Sequence, residues 1–150
     1  MSGLKKFFPN ASSFLKGSAT DIALPSLAGK TFFFYFSASW CPPCRGFTPQ
    51  LVEFYKAHAK SKNFEVMLIS WDENVEDFKE YYAKMPWLAL PFEDRKGMEF
   101  LKTGFRVDSI PTLIGVDADS GKIITTRARK MVVKDPEGRE FPWPDAPGKL

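Results

Sequence analysis

Residues Thr31-Phe-Phe-Phe-Tyr-Phe36 place aromatic rings at five consecutive positions. A strand with one wet face alternates apolar and polar side chains. A run this continuous must be covered on both faces, as in a parallel sheet with helices above and below it. The rest of the chain reads as those covers. Residues 43–60 carry Phe47, Leu51, Phe54 and Tyr55 on one helical stripe, with Pro49 expected to kink the helix near Arg45. Phe64 to Trp71 is a second apolar strand run, and Asn74 is a cap for a helix that buries Val75, Phe78 and Tyr82. A helix is expected over 95–103, with Met98 and Leu101 inward and Gly104 as its stop. Thr112–Val116 and Lys122–Thr126 flank Asp117–Gly121 as an antiparallel hairpin, followed by a short helix at Ala128–Lys134. Ahead of all this, residues 1–20 read as a loose extension, and Asp21 to Leu27 as a short edge strand, since Pro25 bars a central position. Residues 1–150 thus read as one domain with a Pro-rich tail at 141–150, in an α/β sandwich.

The chain has 150 residues, with 21 Lys plus Arg against 18 Asp plus Glu, a formal net charge of +3. The surplus is scattered, so no nucleic-acid partner is expected. The longest uncharged stretch, Thr31 to Cys44, has 14 residues, short of the roughly 18 that a membrane span requires. No continuous apolar signal core opens the chain. Lys5, Lys6 and Lys16 without an acid before Asp21 faintly resemble a transit peptide, but no arginine accompanies them. The Asn10-Ala11-Ser12 sequon and the terminal Gly148-Lys149-Leu150 tripeptide read as coincidences. The expected setting is the cytoplasm, with no membrane partner.

Two cysteines, Cys41 and Cys44, and one histidine, His58, are all the chain contains. A multi-bridge scaffold, a four-cysteine zinc site and a triad needing a second histidine are excluded. Cys41-Pro42-Pro43-Cys44 lies where the buried strand ends and the long helix begins. There the unsatisfied amides and the positive end of the helix dipole favour a thiolate at Cys41. Cys44, three residues on, returns to the same face within disulfide reach, and Pro42 and Pro43 stiffen the turn between them. Three uses of the pair stay open. A structural staple would close a four-residue ring worth only about 1.9 kcal/mol, and a reducing compartment would open it. A zinc site would need two more ligands. A redox dithiol needs nothing that is missing. Lowering a thiol pKa from about 8.5 to about 7 raises its thiolate roughly eightfold at pH 7.5, partly offset by lower intrinsic nucleophilicity. On that reading Cys41 attacks a substrate disulfide and Cys44 resolves the mixed disulfide.

Trp40-Cys-Pro-Pro-Cys-Arg45 behind an aromatic strand resembles the thioredoxin superfamily. Ser70-Trp-Asp-Glu73, Met85-Pro-Trp-Leu-Ala-Leu-Pro-Phe92 and Phe141-Pro-Trp-Pro144 extend the resemblance, over residues 20–145, to the tryparedoxins of trypanosomatids. Nucleoredoxins share much of this pattern in longer chains with several such modules. The resemblance implies a thioredoxin-like three-layer α/β/α sandwich with a mixed central sheet. It implies electron transfer from trypanothione, a bis-glutathione conjugate of spermidine, to disulfide proteins. Among these are tryparedoxin-dependent peroxidases of the peroxiredoxin and glutathione-peroxidase-like kinds, which detoxify hydroperoxides. Cys41 matches the nucleophile, Cys44 the resolving cysteine, and Ile110-Pro111-Thr112 a loop in which a cis-proline faces the pair and Ile110 offers its backbone to substrate. No cofactor beyond the redox-active disulfide is implied, and the expected state is a monomer.

The remaining candidates are substrate contacts. Trp40 is expected as a contact platform at the helix tip, with Pro42 and Pro43 beside it, and Trp71 as a wall. Asp72 and Glu73 are candidates for attracting the spermidine cation, and Arg129 for pairing with a glutathione carboxylate. Ordinary thioredoxins bury a carboxylate six residues before the first cysteine; here that position is Tyr35, a poor base at neutral pH. Asp72 is the expected substitute proton acceptor. The alternatives are a nucleoredoxin-like protein-disulfide reductase and a redox-sensitive binding module without turnover.

Overall fold

The computed structural model describes residues 3–8, 13–16 and 20–145, so Asn10-Ala11-Ser12 and Gly148-Lys149-Leu150 lie outside the described residues. After a 3-10 turn at Gly3–Phe7 come β1 (Ser13–Lys16), β2 (Thr20–Ala23) and a second 3-10 turn at Leu24–Leu27. The chain continues through β3 (Thr31–Ser37), α1 (Pro42–His58), β4 (Phe64–Ser70), α2 (Val75–Tyr82) and β5 (Leu88–Ala89). It closes with α3 (Arg95–Gly104), β6 (Thr112–Asp117), β7 (Ile123–Thr125) and α4 (Ala128–Lys134). Among the described residues the strands lie in the order β2-β1-β5-β4-β3-β6-β7. The aromatic strand β3 is interior, parallel to β4 and antiparallel to β6. β5 continues the parallel side, and β6 and β7 form the expected hairpin.

All five β3 rings are 2% exposed or less, and the pleat sends them to opposite sides. Phe33 and Tyr35 join Phe54, Val66 and Trp87 in the core beneath α1, α2 and α4. Phe32, Phe34 and Phe36 join Leu4, Phe8 and Leu101 beneath the N-terminal turn and α3. Each buried ring contributes roughly 1.5–3 kcal/mol. The sandwich is therefore covered on both faces, as the unbroken apolar run requires.

Local signals explain most of the boundaries. α1 starts at Pro42, one residue earlier than expected, because prolines suit the first turn. Pro49 lies inside it and cannot supply the donor for the Arg45 carbonyl. Asn74 caps α2 by accepting from the Asp77 N–H at 2.9 Å. The end of α3 departs from expectation: Gly104 is still helical, and the left-handed residue is Arg106, with φ 55°. The Phe105 N–H still reaches Leu101 at 2.9 Å, which carries the helix past the glycine. The stretch expected to be loose contains β1, which pairs with both β2 and β5. Pro25 falls in the 3-10 turn after β2, outside the ladder.

From the C-terminal segment, Trp143 is fully buried against Phe54, with ring centroids 5.3 Å apart, and its indole N–H donates to Asp135 at 2.9 Å.

Gly115 of β6 sits opposite Phe33. A Cβ there would lie 2.6 Å from the Phe33 ring and 3.1 Å from the Thr125 methyl, and both neighbours are buried. Gly115→Ala should lower the unfolding free energy by about 2 kcal/mol, read as a lower urea midpoint with an unchanged slope.

Candidate active site

The short connection from β3 to α1 carries the sulfurs. Cys41 is the N-cap of α1, with φ −97° and ψ 109°, and its sulfur accepts from the Cys44 N–H at 3.3 Å. A sulfur that receives a first-turn amide sits where negative charge is favoured. Cys41 and Cys44 are joined as a disulfide across a Cα separation of 5.2 Å. Cys44 is fully enclosed and Cys41 is 5% exposed, so the outer sulfur alone offers an edge to solvent. Pro42 and Pro43 are exposed beside it, and Trp40 stands out at 52% exposure.

The expected neighbours converge on this pair. The Ile110–Pro111 bond is cis, and the Ile110 carbonyl oxygen lies 3.8 Å from the Cys41 sulfur. Trp71 and Ile110 pack against Ala38, Cys41 and Cys44. The Lys102 ammonium sits 4.5 Å from the Trp71 ring centroid, a cation–π contact that fixes the outer side of the indole. Glu73 is exposed directly after Asp72. Arg129 is exposed on α4, and no hydrogen bond or ion pair among the described residues links it to the cysteines.

Asp72 requires a correction. It was expected to attract a cationic substrate, yet it is 2% exposed and both its oxygens are engaged. Oδ1 accepts from the backbone N–H and hydroxyl of Ser39, at 3.0 and 2.6 Å. Oδ2 accepts from the Ser70 hydroxyl at 2.9 Å. The cause is register. Parallel pairing sets Ser37 against Ser70, so the residues two further along each chain, Ser39 and Asp72, meet. Asp72 therefore pins the loop that delivers Trp40 and Cys41. Arg45 secures that loop from outside, donating to the Ser39 carbonyl at 2.9 Å. Behind Asp72, Arg95 donates to the Ser70 carbonyl at 2.9 Å and stacks on Phe92. Burial lowers its guanidinium pKa from the ordinary value, with Asp72 first among the carboxylates opposing that shift.

Tyr35 is buried, and desolvation, reinforced by Tyr81, pushes its phenol well above the ordinary value. It stays a neutral hydroxyl throughout the physiological range. Sequence reasoning missed its partners: Tyr35 meets Thr48 at 2.6 Å, Thr48 meets Tyr81 at 2.7 Å, and Tyr81 meets Ser37 at 2.7 Å. The spacing of Thr48, one turn after Cys44, was the available signal. Among the described residues no group of three or more His, Cys, Asp or Glu side chains could hold a metal ion. No helix there is long and apolar enough to cross a membrane.

Residues 29–123 match the family described as Thioredoxin-like. Tryparedoxin from Trypanosoma brucei brucei is 60% identical over 145 residues, covering 97% of this chain and 100% of that protein. The chain belongs to the tryparedoxin family. A solved structure of tryparedoxin II complexed with glutathionylspermidine is 80% identical, with a TM-score of 0.95 over 96% of this chain and 100% of that one. Native tryparedoxin I from Crithidia fasciculata is 59% identical, with a TM-score of 0.94 over 97% of this chain and 100% of that one. Human nucleoredoxin is 41% identical over 91% of this chain, which spans 32% of that longer protein. As a tryparedoxin with a Cys41–Cys44 redox pair in a thioredoxin-like fold, the protein is a thiol–disulfide oxidoreductase.

The Ser39 contacts separate two variants of Asp72. Asp72→Ala should cost about 1–3 kcal/mol by stranding buried donors, read by thermal or urea unfolding. Asp72→Asn keeps an acceptor for Ser39 and should leave the pH–rate profile of disulfide reduction unchanged.

Proposed function

We propose that this tryparedoxin carries electrons from trypanothione to peroxiredoxin-type and glutathione-peroxidase-like peroxidases and to other disulfide proteins. The observation that carries the reading is the 80% identity to a tryparedoxin II that binds glutathionylspermidine, a polyamine thiol of the same chemistry. A thiolate of the donor attacks the outer sulfur, Cys41, and the Cys41–Cys44 bond breaks, releasing Cys44 as thiolate. The donor's second thiol then attacks the mixed disulfide and leaves as a cyclic disulfide, so two electrons reside on the cysteine pair. In the second half-cycle the Cys41 thiolate, favoured by the α1 amides, attacks the client disulfide. Cys44 displaces the client thiol and the pair is oxidised again. No metal, flavin or nicotinamide takes part.

The surroundings divide the recognition. Trp40, Pro42 and Pro43 form an exposed apolar apron for the client, with Trp71 as its inner wall. The Ile110 backbone, held by Pro111, offers strand-like hydrogen bonds to an extended client segment next to the sulfur. Glu73 attracts the spermidine cation, and Arg129 meets a glutathione carboxylate as the donor arrives. Residues 1–150 act as one monomeric domain in the reducing cytoplasm, where the donor thiol is maintained.

Trypanothione with its reductase and NADPH should sustain many turnovers of peroxidase reduction. Turnover with thioredoxin reductase and none with trypanothione would instead favour the nucleoredoxin-like reading, and a single unrecycled oxidation would favour a binding module. Cys44→Ser should trap a client adduct on Cys41, detectable by mass. Glu73→Lys should raise the KM for trypanothione about fivefold, the scale of one solvent-exposed charge contact. The difference should shrink as salt is added.

A further inference from the structure

The hydroxyl cluster beneath the cysteines converges on one oxygen, that of Thr48. The Thr48 hydroxyl donates to the Cys44 carbonyl at 2.9 Å, beside the helical bond that the same oxygen takes from the Thr48 N–H. Tyr35 and Tyr81 must then both donate to Thr48 Oγ1. Tyr81 has spent its proton, so Ser37 donates to Tyr81. All four hydroxyls are on buried residues. The cluster therefore ties one backbone carbonyl in the first turn of α1 to β3 and α2 through a single threonine oxygen. The next carbonyl along, that of Arg45, has lost its helical donor to Pro49, so the ladder is weakest immediately after Cys44.

We propose that Thr48 is the positioning residue for the resolving step: it holds Cys44 in attacking position while the Cys41–Cys44 bond is open. This rests on Cys41 as the attacking sulfur and Cys44 as the resolving one. In the oxidised protein the disulfide itself fixes Cys44. In the mixed disulfide that covalent restraint is gone, and the Thr48 junction carries the load. The step it serves is balanced. Cys44, having given its thiol proton to solvent, attacks the Cys41 sulfur through its own sulfur. The bond from Cys41 to the client sulfur breaks, and the client leaves as thiolate, which takes up a proton from water.

The two steps separate with 5,5′-dithiobis(2-nitrobenzoate) as the oxidant and the full-length reduced protein. Attack by Cys41 releases one coloured aryl thiolate, and resolution by Cys44 releases the second. Thr48→Val should leave the first phase within about twofold and slow the second about tenfold, the scale of stranding the buried Tyr35 and Tyr81 hydroxyls that share the Thr48 oxygen. Thr48→Ser, which keeps the hydroxyl, should restore the second phase. Tyr81→Phe removes one restraint on the Thr48 oxygen and should slow the second phase alone, by about threefold. The last variant also serves if Thr48→Val does not fold. An unchanged second phase, equal slowing of both phases, or a Ser variant as slow as Val would overturn the proposal. Cys44→Ser must abolish the second release. If it does not, the assignment of the two cysteines fails, a result distinct from failure of the Thr48 role.

Discussion

Strand β3 has no face on which water can lie, and the position of every functional group follows from that restriction. Its rings demand cover on both sides, so the strand must sit inside the sheet with neighbours at fixed register. Pairing of Ser37 with Ser70 brings Ser39 to Asp72 beyond the ends of β3 and β4. Pairing of Phe36 with Thr112 on the other side brings the Ile110–Pro111 loop to the mouth of the same turn. The cysteine pair, starting four residues past the strand, is thus fixed between two loops by backbone ladders whose registers the core sets. A shift of the β3–β4 register would part Ser39 from Asp72, so the site geometry is tied to the ladder.

Beneath the inner sulfur the chain has replaced a chargeable group with a set of neutral ones. A buried carboxylate at the Tyr35 position would have to be either ionised at a desolvation cost or protonated. The hydroxyl cluster avoids that choice, since every donor in it has an acceptor and none carries charge. The nearby acid, Asp72, is committed to Ser39 and Ser70 and acts on the loop geometry. Charge near the sulfurs is therefore supplied from outside, by the α1 amides and by whatever docks.

The sandwich was legible because β3 is an unbroken apolar run, β4 is largely apolar, and α1 carries its apolar residues at helical spacing. Phe47, Leu51 and Phe54 are visible as a stripe in one dimension, and they pack as one. The cysteine pair was visible because its chemistry and its helix-tip location are both local. Less was legible where a residue's role depends on a distant partner. Asp72 looked like a surface acid at the start of a helix because nothing in its neighbourhood announces Ser39, thirty-three positions earlier. Thr48, Tyr81 and Ser37 come from three separate elements, and only the fold makes them one cluster. Gly104 satisfied a rule for helix ends, but Phe105 still had a carbonyl to reach, so the left-handed residue moved to Arg106.

The sheet also ends in a way that bears on encounters between molecules. One margin is β2, four residues long and followed at once by a 3-10 turn. The other is β7, three residues long, where the Asp145 N–H occupies the Ile124 carbonyl and the Asp145 carboxylate takes the Thr126 N–H. Among the described residues both margins are therefore short, and that of β7 is partly occupied by the chain's own C-terminal segment. Short margins of this kind limit edge-to-edge pairing, so a collision between two such sheets ends in separation rather than in a persistent complex.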